Sequence, residues 1–451
     1  MFDFGPLAAQ NDRDLLGYFH ISGQAKHLVD PKGSKQSFLF IARPGSGKTS
    51  LVKWLSEKTE NRLTIVISTE TTRLSAADPH LNAGDIQVMI SSELYAALIS
   101  EIVAQNFASD LTTEAKQFLS KGWKEIVGNF FEKLFVGVSI LGCGFTLKPD
   151  ERRSYLQEIR RTDRLNAGRS VLKKLASRKE IVLVLDDPEL LVSEGLDDIT
   201  PDNARRLGAL LSVLAEVHSI GVRVIAFLKE HIVQNVRAYH DNFQHFADRI
   251  EGLEWTAEDL IAMLRCRVRT RLNTSWAAIF ECAESDVERK IFPFLVNGPR
   301  DLLTLCNLAG KEAGKISLAR LEKSRRAYKA DKWRDLHTYY NRQWPGVDRF
   351  ALAMVDILKK KYEDRPIPPG GIKAQFEAEF VNPGSDIHRL RSGAQWIENA
   401  KYVTPSIEEK LFVMGCLGYV SEGQRYFPWA GRDIDRFKLA DSYFVSPIYA
   451  A

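Results

Sequence analysis

The residues best placed for chemistry lie between Ser37 and Leu51, which read S-F-L-F-I-A-R-P-G-S-G-K-T-S-L. The run Ala42-Arg-Pro-Gly-Ser-Gly-Lys-Thr49 fits the pattern G-x-x-x-x-G-K-[ST], with alanine in place of the first glycine. Gly45 and Gly47 supply positions where the backbone can turn without a Cβ. The segment Arg43, Pro44, Gly45, Ser46, Gly47, Lys48, Thr49 and Ser50 would then wrap phosphates at the N-terminus of the next helix. Lys48 would reach the β- and γ-phosphates of ATP, and Thr49 would hold Mg²⁺. A second constellation, Ile181-Val-Leu-Val-Leu-Asp-Asp-Pro-Glu189, is an apolar run ending in acids, as a buried strand needs if its carboxyl end is to serve a metal and an attacking water. Asp186 is the natural metal partner. Asp187 would be the base or water-orienting acid, with Glu189 as its competitor. Lys229, which closes the run Val222 to Leu228, is a candidate γ-phosphate sensor or simply an exposed strand end.

These groups need a scaffold that brings strand ends to one edge. Phe38 to Ile41, Leu63 to Thr69, Ile181 to Leu185, Val222 to Lys229 and Arg249 to Trp255 read as buried parallel strands alternating with helices, an α/β rhythm. Ligands gather at the carboxyl edge of such sheets. Leu15 to Ser22 could close over a nucleotide base or serve only as packing. Residues 70 to 90 read as loop and Ile90 to Phe107 as helix. An insertion follows, in which Phe130 to Leu147 reads as packing or as a partner-binding or membrane-touching flap. Arg152 to Lys179 is a basic stretch that reads as a helix, usually a solvated face, residues 311 to 334 are a second that reads as one long helix, and both are candidate DNA surfaces. Thr256 reads as an N-cap, and Pro299 as a first helical residue that would put Arg300 in the first turn. Phe350 to Tyr362, 387 to 399 and 405 to 416 read as helices, Pro366 to Gly371 as a loop, Gly418 to Trp429 as a hairpin turning at Glu422-Gly423, and Phe444 to Ile448 as extended.

Composition narrows the class. The chain has 451 residues, 45% apolar and 27% charged, which suits about two or three globular domains. A net charge of +4 is too small to argue nucleic-acid binding by itself. Cys143, Cys266, Cys282, Cys306 and Cys416 show no C-x-x-C spacing, which points to buried thiols in a reducing compartment. His231, His240 and His245 fit no metal-site spacing. The start lacks a basic region followed by an apolar core, and Leu134 to Phe145 is too short to span a bilayer. The expectation is a cytoplasmic protein without a membrane partner.

The P-loop, the D-D-P-E at Asp186 to Glu189, the L-K-E-H at Leu228 to His231 and the G-P-R-D-L at Gly298 to Leu302, with the helix-and-hairpin tail, resemble a group of prokaryotic P-loop ATPases. That group is similar to the STAND signalling ATPases and to origin-recognition-type AAA+ proteins. The resemblance implies a three-layer P-loop sandwich with a parallel sheet of order 5-1-4-3-2, a helical lid and a C-terminal winged helix. The domains expected are residues 1–255 as core, with an insertion at about 108–160, then 256–344 as lid and 345–451 as winged helix. It further implies that Pro299 lies near the adenine, that Arg300 is a lid arginine facing the phosphates, and that Arg249 stands where an arginine finger completes a neighbour's site in a homo-oligomer. Beside Asp248 and Glu251, Arg249 could equally be a surface ion pair. The activity implied is slow ATP hydrolysis in a molecular switch, with signalling or defence against phage as its setting and an effector protein as partner. A DNA-binding ATPase and a nucleotide-dependent interaction module without turnover are the alternatives.

Overall fold

The structure, a computed structural model, describes residues 2–7, 11–23, 25–26, 38–42, 45–56, 62–67, 83–105, 115–116, 163–188, 201–229, 232–233, 236, 249–341, 344–363, 365–399, 406–430 and 434–450. Arg43, Pro44, Glu189, the three histidines considered as metal ligands, Asp248 and the stretch Phe130 to Leu147 lie outside the described residues. Two compact bodies divide the chain. One comprises Met1–Lys26, Ala42–Leu51 and Gly252–Ala451, the other His27–Ile41 and Val52–Glu251.

In the second body the apolar runs become strands β1 (Leu39–Ile41), β2 (Arg62–Ile67), β3 (Glu180–Asp186), β4 (Arg223–Leu228) and β5 (Ile250–Gly252). Their order across the sheet is β2-β3-β4-β1-β5, which is the expected 5-1-4-3-2 read from the other edge. The pairs β2 with β3, β3 with β4 and β4 with β1 run parallel, and Leu183 stands opposite both Ile65 and Val224. Ile181 to Leu185 are all buried, as a central parallel strand covered on both faces requires. The backbone N–H groups of Phe38 and Leu39 both donate to the Arg249 carbonyl at 3.2 Å, tying the start of β1 to the edge strand.

Helix α1 (Lys48–Leu55) follows the P-loop. Helix α2 (Ala83–Ala104) packs against α3 (Arg164–Ala176) and α4 (Pro201–Ser219). By length and composition Gly84–Ala104 could cross a membrane, yet 67% of its most apolar window is buried inside the body, the pattern of an all-round apolar core helix. It begins at Ala83, within the stretch expected to be loop up to residue 90.

The first body is mostly helical: α5 (Ala257–Cys266), α6 (Trp276–Ile279), α7 (Glu284–Ile291), α8 (Pro299–Gly310), α9 (Leu318–Tyr340), α10 (Val347–Tyr362), α11 (Gly371–Val381), α12 (Asp386–Arg391), α13 (Gln395–Asn399) and α14 (Ile407–Val413). Strands β6 (Leu417–Ser421), β7 (Gln424–Tyr426) and β8 (Ser442–Val445) form an antiparallel sheet of order β7-β6-β8, joined by α15 (Ile434–Lys438) and followed by α16 (Pro447–Ala450). The hairpin turns where expected, with φ of 51° at Glu422 and 74° at Gly423, both positive as a two-residue type I′ turn demands.

Several boundaries differ from the sequence reading. The basic stretch 311 to 334 is not one helix: residues 311 to 317 leave the helical path, Gly314 at φ 85°, and Ser317 caps α9 by accepting from Arg320 N. Arg320 secures the break, donating to the carbonyls of Ala309, Glu312, Ala313, Gly314 and Lys315 and so satisfying groups that the end of α8 would leave bare. The expected helix at 387 to 399 splits into α12 and α13. The loop 366 to 371 ends when α11 starts at Gly371, and the expected extended tail becomes β8 followed by α16. The fifth strand stops at Gly252 rather than Trp255, because a capping box at Thr256 and Asp259 starts α5 and Trp255 turns to the P-loop.

The core of this body holds a buried ionic network around Asp301. Asp301 is fully buried and accepts from Val296 N (2.9 Å), Asn297 N (2.6 Å), Tyr328 Oη (2.5 Å) and Lys332 Nζ (2.8 Å). Lys332 also pairs with Asp335 at 2.5 Å. Burial pushes the Asp301 carboxyl up, but Lys332, Tyr328 and the backbone donors outweigh it and hold it below its ordinary value. For Lys332, burial lowers the pKa, and Asp301 with Asp335 outweighs it and holds the ammonium above its ordinary value. The pair's stabilisation is therefore complete between the unperturbed values of 3.8 and 10.5, and is lost as pH falls below the first or rises above the second. Lys332→Met, which strands a buried carboxylate, should cost about 3 to 5 kcal/mol in urea unfolding. Arg334→Met, removing an exposed pair with Asp331, should stay within about 0.5 kcal/mol.

Candidate functional site

The two sets of chemical residues fall in different bodies. In the first body, Gly45 and Gly47 have φ of 85° and 94°, so the loop takes the path that its glycines permit and other residues resist. Lys48 opens α1, Thr49 is exposed, Ser50 is half-buried and Ser46 is fully buried. A Cβ placed on Gly45 would meet the Arg300 Cβ at 3.0 Å, so the loop is seated against the first turn of α8. There Pro299 is the first helical residue, as expected, and Arg300 N points at the Gly45 carbonyl at 3.4 Å. The Arg300 guanidinium donates to Tyr339 Oη at 3.1 Å.

One loop contact was not read from the sequence. The Trp255 indole N–H donates to the Ser46 carbonyl at 2.8 Å, and its ring lies 3.6 Å from where a Gly47 Cβ would be. Behind Trp255, the Asp259 carboxylate accepts from Gly23 N (3.0 Å) and Thr256 Oγ1 (2.9 Å), and His20 Nε2 lies 3.3 Å away. Burial raises the Asp259 pKa, but these hydrogen bonds outweigh it and keep the carboxyl low. The His20 and Trp255 ring centroids stand 6.2 Å apart, so residues near His20 join the surroundings of the loop. Earlier in the same segment Leu15 and Tyr18 are buried, and the Arg267 guanidinium lies 4.8 Å from the Tyr18 ring centre.

In the second body, Asp186 ends β3 opposite Phe227 of β4, at the carboxyl edge. Asp187 has φ of 49°, in the left-handed region that aspartate enters more readily than most residues. Lys229 follows β4 and places Nζ 3.9 Å from Asp187 Oδ2, so the two polar strand ends meet at this edge. Arg249 sits at the opposite, amino edge, where β1 begins. There it adds, after burial, to the lowering of the His218 pKa, with Arg223 as a further cause. Among the described residues no group of three or more His, Cys, Asp or Glu could hold a metal.

A model of the KAP family P-loop domain matches residues 21–349. The chain belongs to the KAP family. No curated protein matches the sequence. Among solved structures, the Aeropyrum pernix ORC2 protein in its ADPNP–ADP complexes is a distant likeness, with a TM-score of 0.39 and 12% identity over 95% of this chain and 96% of that one. The KAP match takes in the P-loop, β1 to β5 and the helices through α9, and stops as α10 begins.

Three substitutions separate chemistry from folding in this KAP domain. Asp187→Asn should keep the left-handed turn and the melting temperature, whereas Asp187→Val should lose about 1 to 2 kcal/mol in thermal unfolding. Arg300→Ala removes an exposed hydrogen bond to Tyr339 and should cost less than about 1 kcal/mol without ligand.

Proposed function

We propose that this KAP-family chain is an ATP-dependent molecular switch that hydrolyses ATP slowly. The observation that carries the reading is the contact of Arg300 N with the Gly45 carbonyl, because it joins the phosphate loop to the first turn of a lid helix. The arginine on that turn can then exchange Tyr339 for a phosphate oxygen. A ligand shifts a conformational equilibrium only by its difference in affinity for the two states, and Arg300 is the group through which ATP and ADP would differ.

The glycine path and the cradle against Arg300 fit a nucleotide's phosphates, with Lys48 as their cation and Pro299 near the base. Bound Mg-ATP would supply the electrophilic phosphorus and the cation, and Thr49 and Asp186 are the candidate metal ligands that the sequence offers. Asp187 would accept hydrogen bonds from the attacking water, and Lys229 restrains its carboxylate. We assign the antiparallel sheet with α10, α12 to α14 and their connections to a winged-helix role that reads out the lid, and Arg249 to an arginine-finger role toward a second copy of the chain.

At about a hundred times Kd, Mg-ATP should stabilise the wild type by about 2.7 kcal/mol, a rise in melting temperature that Lys48→Ala should abolish. An equal melting temperature with and without Mg-ATP in the wild type would refute nucleotide binding. Asp187→Asn should retain binding and lose most turnover in a phosphate-release assay, whereas Asp186→Asn should weaken the Mg-dependent part of binding. Loss of turnover in Glu189→Gln but not in Asp187→Asn would exchange the roles of those two acids.

A further inference from the structure

Trp255 is buried, and its indole N–H is committed to a single acceptor, the carbonyl of Ser46. That carbonyl belongs to the peptide joining Ser46 to Gly47. A trans peptide is planar, with its C=O and N–H on opposite sides, so a donor that holds the Ser46 carbonyl on the lid side turns the Gly47 N–H away from it. The preceding peptide is held likewise, since Arg300 N addresses the Gly45 carbonyl at 3.4 Å and thereby turns away the Ser46 N–H. Left-handed φ values at Gly45 and Gly47 complete the restraint. A glycine-rich loop otherwise has many peptide orientations to lose when a phosphate arrives.

We propose that Trp255 is a positioning residue for phosphate binding: its indole holds the Ser46–Gly47 peptide in the orientation that presents the Gly47 N–H as an anion donor before any nucleotide is bound. The proposal rests on the nucleotide-binding reading above and adds to it the residue that pre-organises the loop. Trp255 touches the loop backbone at the Ser46 carbonyl, so it would act on the phosphate cradle that ATP and ADP share and not on discrimination of the γ-phosphate. It therefore differs from Arg300 in its effect: Arg300 separates ATP from ADP, whereas Trp255 raises affinity for both.

The test replaces Trp255 by β-(3-benzothienyl)alanine, introduced at that codon alone, which keeps the bicyclic ring against Gly47 and removes only the donor. Trp255→Phe is the second variant. Two readouts are taken on the whole chain. Amide hydrogen exchange of the peptide spanning residues 45 to 49, without nucleotide, should speed up by about fivefold or more in the isostere while the melting temperature stays within a degree or two of the wild type. Affinities for Mg-ADP and Mg-ATP should fall together by about five- to tenfold, with turnover at saturation unchanged. Unchanged exchange at 45 to 49 in both variants would overturn the proposal, as would a loss of affinity for ATP alone. If the wild type binds neither nucleotide, the functional reading fails, and the exchange measurement still decides whether the indole orders the loop.

Discussion

Asp301 has no contact with water, so its charge must be answered entirely by protein groups. Four donors answer it, two from the backbone just before α8 and two from side chains of α9. The arrangement fixes the entry to α8 from both sides. The backbone donors bend Val296 and Asn297 around the carboxylate, and Lys332 with Tyr328 pins that bend to the long helix. Without these partners the first turn of α8 would have no defined place, and whatever rests on that turn would lose its footing.

What rests on it is the phosphate loop. Neighbouring residues do opposite work: Arg300 turns its backbone to Gly45 and its guanidinium to Tyr339, while Asp301 turns inward to Lys332. Both side chains end on α9, one near its exposed C-terminal turn and the other at its buried face. A shift of α8 relative to α9 would have to break a buried ion pair, so the loop and these two helices behave as one piece. The ring stack of Tyr340 on Trp344 and the hydrogen bond from Tyr340 Oη to the Val413 carbonyl continue the same packing toward α14.

The sequence was most legible where the backbone dictates residue type. Gly45 and Gly47 are glycines because of φ, β3 is an unbroken apolar run because both faces are covered, and Pro299 and Thr256 start helices for local reasons. Legibility failed where local signals competed. The Lys, Glu, Ala and Arg of residues 311 to 334 favour helix throughout, and Gly314 with Ser317 broke it nonetheless. It failed again where side chains meet across long separations. Lys332 reads as one more solvated lysine in a basic run, and only packing against residue 301 shows otherwise. Trp255 reads as the end of a strand, since nothing local announces an acceptor 209 residues away. The edges assigned to Asp186 and Lys229 were legible, because parallel order alone places them together.

The first few residues have a further consequence, for the order of events during synthesis. Phe4 is fully buried in the helical body, its N–H bonded to Asn307 Oδ1 across 303 positions of sequence, and Phe2 N donates to the Gly310 carbonyl. At ribosomal speeds of about 5 to 20 residues per second, those partners emerge roughly 15 to 60 s after Phe4 does. The sheet body, whose strands all end by Gly252, can close in that interval, while an aromatic segment meant for the other core remains exposed. This division of the chain sets the helical body to close late, around a segment made about 300 residues before its partners.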